Sequence, residues 1–285
     1  MSNSDQKAHK RKKSKYFYSN CKKSKQYNLG SGLTGFMITC NNQEHRCVKE
    51  AYNLLNEFAD KIYCNKNDHQ VVHDDDDDDV ESALRNEINN LHETPKRFHQ
   101  VKTNVKNVMF IKCNDELDPI LIADRIFHEV ERTGKQYTRF LLRMIPIQTT
   151  CKINENFVKS LESLLEKIPN NNIDDDATFM IQCKVRNNTD CKRLQMIEEI
   201  VAVVNRVKPK WKVNFDSPKY TVVAEVLQTV CCLSIINNVE KFCKYNLLEL
   251  AKKVSKEIQN NQTKQDDVNE NINENINENI NENIN

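Results

Sequence analysis

From Thr178 to Arg186 the chain reads TFMIQCKVR, and Asn187 and Asn188 follow directly. In a strand, Phe179, Ile181, Cys183 and Val185 share one face, and Gln182, Lys184 and Arg186 share the other. Two cations and several amides gathered at a strand end form a donor-rich patch that suits phosphate and ribose oxygens. Further along, Lys208, Lys210 and Lys212 flank Trp211, and residues 180–220 hold nine basic residues against four acidic ones. Cations around an aromatic ring fit nucleic-acid contact through charge and stacking. They also fit a solvated edge with Trp211 in the core, the reading that composition alone favours. Arg143 stands in the apolar run YTRFLLRMIPI and needs an anionic partner, either an external ligand or an acid such as Glu225 in YTVVAEVL.

Catalytic patterns are missing. There is no GxGxxG, GxxxxGK[ST], GxSxG or HExxH, and only Gly134 of the four glycines lies beyond residue 35, so a phosphate or cofactor loop has little to build on. Eleven cysteines show no CxxC spacing, and several sit inside apolar runs, as Cys40 and Cys183 do. They read as reduced core residues, and Cys231 and Cys232 in an apolar strand read as poor nucleophiles. Cys64, His69 and His73 lie near carboxylates but lack a fourth zinc ligand at standard spacing. The expectation is a binding module without catalytic residues, metal, cofactor or small-molecule substrate.

The elements that would position these residues alternate. The strand Phe36–Cys40 follows the glycine-bearing turn Leu29–Gly35. A helix from Glu44 to Tyr63 has an apolar stripe through Val48, Leu55 and Phe58, with Asn41 and Glu44 as a capping pair. A strand at Asn107–Cys113 and a helix begun by Asp118-Pro119 and ended by Gly134 complete the first part. Then come a strand Tyr137–Ile147, a helix Asn154–Ile168, a strand Thr178–Arg186 and a helix capped by Asp190. Strands Tyr220–Leu227 and Val230–Ile236 and a helix Tyr245–Ile258 close the series. This alternation predicts an α/β (α+β) chain.

Charge is balanced overall, at +1, but uneven. Residues 1–25 hold nine basic residues and one acidic, and read as a disordered basic leader, a nuclear-import or nucleic-acid arm. Six consecutive aspartates, Asp74 to Asp79, mark residues 64–93 as a solvated insertion. The end, VNENINENINENINENIN, is a low-complexity acidic tail. No run approaches a membrane span and no secretory signal opens the chain.

The blocks GFMITCNNQEHRCVKEAYNLLNEF, FLLRMIPIQTTCK, CKVRNN and KVNFDSPKYTVVAEVLQTVCCLSII, in that order, resemble the THUMP-domain tRNA acetylation adaptors from about Leu29 to Leu250. The resemblance implies a ferredoxin-like domain over residues 29–134 and an RNA-binding THUMP domain over 135–246; the disordered basic leader over 1–28 rests on composition alone. A C-terminal helix over 247–260 and a disordered tail over 261–285, read from periodicity and composition, would follow. It implies tRNA and an RNA cytidine acetyltransferase as partners. The chain would be non-catalytic and would assist N4-acetylcytidine formation in the D arm of serine and leucine tRNAs. Residence would be nuclear or nucleolar, with cytoplasm as a further compartment. Only 39 residues follow Asn246, too few for the catalytic domains fused to other THUMP modules. By position in the matching blocks, Arg143, Lys152, Lys184, Arg186 and Asn187 are expected to contact RNA. Gln182, Lys208 and Lys210 join them on charge and placement, and Lys106 and Asn107 stand behind. The competing expectation is a protein scaffold whose RNA contact is incidental.

Overall fold

The structure, a computed structural model, describes residues 28–63, 96–153, 156–169 and 177–260. The basic leader, the acidic insertion with Cys64, His69 and His73, and the NENI tail lie outside the described residues.

The first sheet is built by β1 (Gly35–Cys40), α1 (Glu44–Tyr63), β2 (Phe98–Val105), β3 (Val108–Cys113), α2 (Pro119–Thr133) and β4 (Leu141–Ile147). Its strand order is β2-β3-β1-β4 and every pairing is antiparallel, the ferredoxin-like arrangement. Local sequence explains its parts. The Asp118 carboxylate accepts from the Ile120 amide, Pro119 occupies the first helical position, and Gly134 at φ 64° closes α2 with its amide on the Val130 carbonyl. At Gly35 a Cβ would stand 2.1 Å from the Ile111 carbonyl oxygen, so only glycine lets β1 meet β3 there.

The second sheet follows with β5 (Thr149–Lys152), α3 (Phe157–Glu166), β6 (Thr178–Arg186), α4 (Arg193–Val207), β7 (Lys212–Val213), β8 (Tyr220–Leu227) and β9 (Val230–Ile236). Its order is β5-β9-β8-β6-β7, with β6 parallel to both neighbours. Helix α5 spans 247–260. One face of this sheet buries Phe179, Cys183, Val222 and Cys231 with Leu161 of α3 and Ile200 of α4. The other sends Val223, Leu227, Cys232 and Ile236 into the core of the first sheet.

The two sheets share a strand path. β4 pairs with β1 and β5 pairs with β9, and only Gln148 stands between them. The Gln148 side-chain oxygen accepts the Ile235 amide at 2.8 Å, and the Gln148 backbone N–H donates to Leu233 O at 3.1 Å. The segment before β1 is sewn to the same place. The Leu33 amide donates to Thr150 Oγ1 at 2.8 Å, and that hydroxyl donates to Gly30 O at 2.7 Å.

Several expectations are corrected. A division at 134/135 falls inside the first sheet, because β4 pairs with β1. β2 is an edge strand with few buried positions, so its sequence FHQVKTNV carries no clear apolar pattern. Residues 137–140 precede the strand, and the Glu50 carboxylate accepts the amides of Arg139, Phe140 and Leu141. Glu44 accepts the Asn107 amide at 2.7 Å instead of closing a capping box with Asn41. Lys192, not Asp190, is the N-cap of α4; the Asn188 side chain holds the Asp190 and Cys191 amides in a turn before it.

Candidate nucleic-acid interface

The polar face of β6 forms as its alternation demands. Phe179 and Cys183 are buried, while Gln182, Lys184 and Arg186 are half-buried on the opposite side. The parallel register sets Lys184 beside Glu225 of β8. Glu225 has 0% exposure. Its Oε2 lies 3.4 Å from Arg186 Nε, and its Oε1 lies 3.4 Å from Lys184 Nζ, an ion-pair distance without hydrogen-bond geometry. Lys184 keeps 40% and Arg186 33% of their side-chain surface exposed, so both cations are tethered from beneath and open from above.

The strand end is rigidly turned. Asn187 takes φ 53° and Gln228 φ 56°. The Gln228 amide donates to Arg186 O at 3.0 Å, and Asn188 Nδ2 donates to Gln228 O at 2.7 Å. Asn187 Nδ2 reaches Asn104 O of the first sheet at 3.4 Å. That contact brings the β2–β3 hairpin to the end of β6. On this hairpin Lys102, Asn104 and Lys106 alternate outward and are exposed around a hollow of about 320 Å³. Lys152 belongs to the same end: it pairs with Val230, next to the β8–β9 turn, and is exposed.

The remaining expected residues are elsewhere. Thr178 pairs with Lys212, so residues 208–212 lie at the start of β6. At about 3.3 Å per residue, that start is more than about 20 Å from Arg186. Lys208 is 5% exposed, and its Nζ donates to Ile168 O at 2.7 Å, which ties the ends of α3 and α4 together. Lys210 is exposed but sits at that far end. Trp211 is 4% exposed and stacks on Tyr220 with centroids 4.7 Å apart and planes 3° apart, as a core ring does. Arg143, in β4, has a buried Nε without a hydrogen-bond partner, and the Arg143–Glu225 pair considered from sequence is not formed. Sequence reasoning also did not place Lys102 or Asn104 at the site, because β2 itself was not legible.

Burial pushes the Cys183 thiol up to about 11, and burial raises Cys231 and Cys232 well above the ordinary thiol value. Cys151, opposite Cys231 across the ladder, is lowered by the hydrogen bond from Cys231. Among the described residues no group of three or more His, Cys, Asp or Glu side chains is placed to hold a metal ion, and no helix is long and apolar enough to cross a membrane.

A family model for the THUMP domain matches residues 155–236. The THUMP domain is associated with RNA binding and with tRNA-modifying enzymes. The chain is 35% identical over 261 residues to THUMP domain-containing protein 1 of Bos taurus, covering 85% of this chain and 71% of that one. It is 37% identical over 237 residues to the Homo sapiens protein of that name, covering 79% of this chain and 65% of that one, so it spans about two thirds of the human relative. The solution structure of the THUMP domain of THUMP domain-containing protein 1 aligns at 30% identity over 30% of this chain and 88% of that chain, with TM-score 0.25.

Proposed function

Because the chain belongs to the THUMP domain-containing protein 1 family, we propose that it is a tRNA-binding adaptor for an RNA cytidine acetyltransferase. It holds serine and leucine tRNAs while the partner enzyme forms N4-acetylcytidine in their D arm, in the nucleus or nucleolus. The observation that carries the reading is the end of β6. There Lys184 and Arg186 stand partly open above a buried carboxylate, beside Asn187, Lys152 and the exposed lysines of the β2–β3 hairpin. Cations and side-chain amides at a fixed spacing recognise a folded sugar–phosphate backbone, and guanidinium grips phosphate better than ammonium because of its planar fork.

The test has two arms. Lys184→Gln and Arg186→Gln are made singly, so that Glu225 always keeps one cation. Each weakens tRNA binding, and each lowers the slope of log K against log salt. Full affinity in both variants assigns RNA to another face. Mapping of acetylcytidine in tRNA from cells lacking the gene checks the adaptor role, and unchanged acetylation overturns it.

A further inference from the structure

Glu225 is an anomaly of β8. The strand YTVVAEVL is otherwise apolar or small, seven of its eight residues are buried, and at its centre a carboxylate has 0% exposure. A buried carboxylate is costly to desolvate, and an apolar residue of similar volume usually serves stability as well or better. Stability alone therefore gives no reason for an acid here. Its contacts give one. Oε2 takes Arg186 through Nε only, and the terminal amino groups of that guanidinium have no partner among the described residues. Oε1 stands 3.4 Å from Lys184 Nζ without hydrogen-bonding it. One carboxylate thus steers two long, flexible side chains from below and leaves their outer donors unused.

We propose that Glu225 is the positioning residue of the RNA site, presenting the Arg186 fork and the Lys184 ammonium as a preset clamp for adjacent phosphates. The proposal rests on the RNA-binding reading above. It separates two effects that point in opposite directions. Coulomb's law alone says that removing a negative charge beside two cations strengthens attraction to any polyanion. Positioning says that the same change frees both side chains, restores their rotamer entropy cost on binding, and weakens recognition of a folded RNA.

The experiment compares Glu225→Gln with the wild-type full chain, using folded tRNA and a single-stranded homopolymer as probes at several salt concentrations. The expected result is about tenfold weaker binding of folded tRNA, the equivalent of one well-placed hydrogen bond to a charged group. Homopolymer binding should be equal or tighter. Tighter binding of both probes leaves Glu225 a mere charge offset and overturns the proposal. Should the variant fold poorly, nitrogen-15 spectra of the wild-type protein decide: a held Arg186 Nε–H exchanges slowly with water, and exchange as fast as in a free arginine also overturns it. If Arg186→Gln weakens tRNA binding while Glu225→Gln does not, the positioning role fails and the RNA site stands. If neither does, the site itself is misplaced.

Discussion

The two ends of β6 carry similar residue types and use them in opposite ways. At the end of the strand, Lys184 and Arg186 are half-open and face a buried acid. At its start, Lys208 is buried on a backbone carbonyl, and Trp211 is stacked on Tyr220 with the Phe179 ring tilted near it. Lysine and aromatic content does not separate them, since both stretches read as basic and ring-bearing or amide-bearing. What separates them is the neighbour. The start of β6 meets the ends of α3 and α4, whose last carbonyls and apolar faces recruit the lysine and the indole. The end of β6 meets turns made of asparagine and glutamine, which leave the cations half-open.

This contrast can be broken by substitution. The largest effect is expected at Trp211. Trp211→Ala should cost about 3–5 kcal/mol of stability, as for a large ring removed from a core, with tRNA affinity of the folded fraction unchanged. Chemical denaturation and a binding titration check both halves; a weakened affinity would make the start of β6 part of the interface. Next comes Arg186→Gln, which should weaken tRNA binding by about 1–3 kcal/mol at low salt and lower the salt slope by about one. Lys208→Met should lower stability by about 1–2 kcal/mol by orphaning the Ile168 carbonyl, again without touching affinity. Lys102→Gln with Lys106→Gln sharpens the boundary of the grip, and a severalfold loss, read by the same titration, is expected from rim phosphate contacts. The smallest effect belongs to Cys183 on the helix-facing side of the same strand. Burial pushes its thiol up to about 11, so the folded protein keeps that proton where the unfolded chain loses it. A thiol reagent near pH 8 should therefore leave Cys183 unlabelled in the native state, and stability should decline as the pH rises from the ordinary thiol value toward 11.

Much of the scaffold was legible where local rules act alone. The α2 boundaries follow from Asp118, Pro119 and Gly134, and the limits of α1, β6, β8 and β9 follow from apolar period and turn residues. β2 was not legible, because an edge strand needs only alternate weak burial, and β7 is two residues long. The β4 assignment failed differently: its sequence marks a strand, but no local rule says which sheet it joins. The site was half legible. Alternation puts Lys184 and Arg186 on one face, while their tie to Glu225 depends on parallel register between β6 and β8, a property of topology. For the same reason the Arg143–Glu225 pair, one of two partners offered for Arg143, does not form.

One consequence remains in the single residue, Gln148, that carries the chain from one sheet to the other. With no linker at this junction and Thr150 fastening the segment before β1 across it, the hairpin lysines and the β6 cations are held at one corner by the strand ladders themselves. If the proposed site is right, a nucleic acid arriving at this corner should meet a preformed template. Capture by such a site would have no closing step to wait for, and any bending needed for a fit would come from the visiting strand.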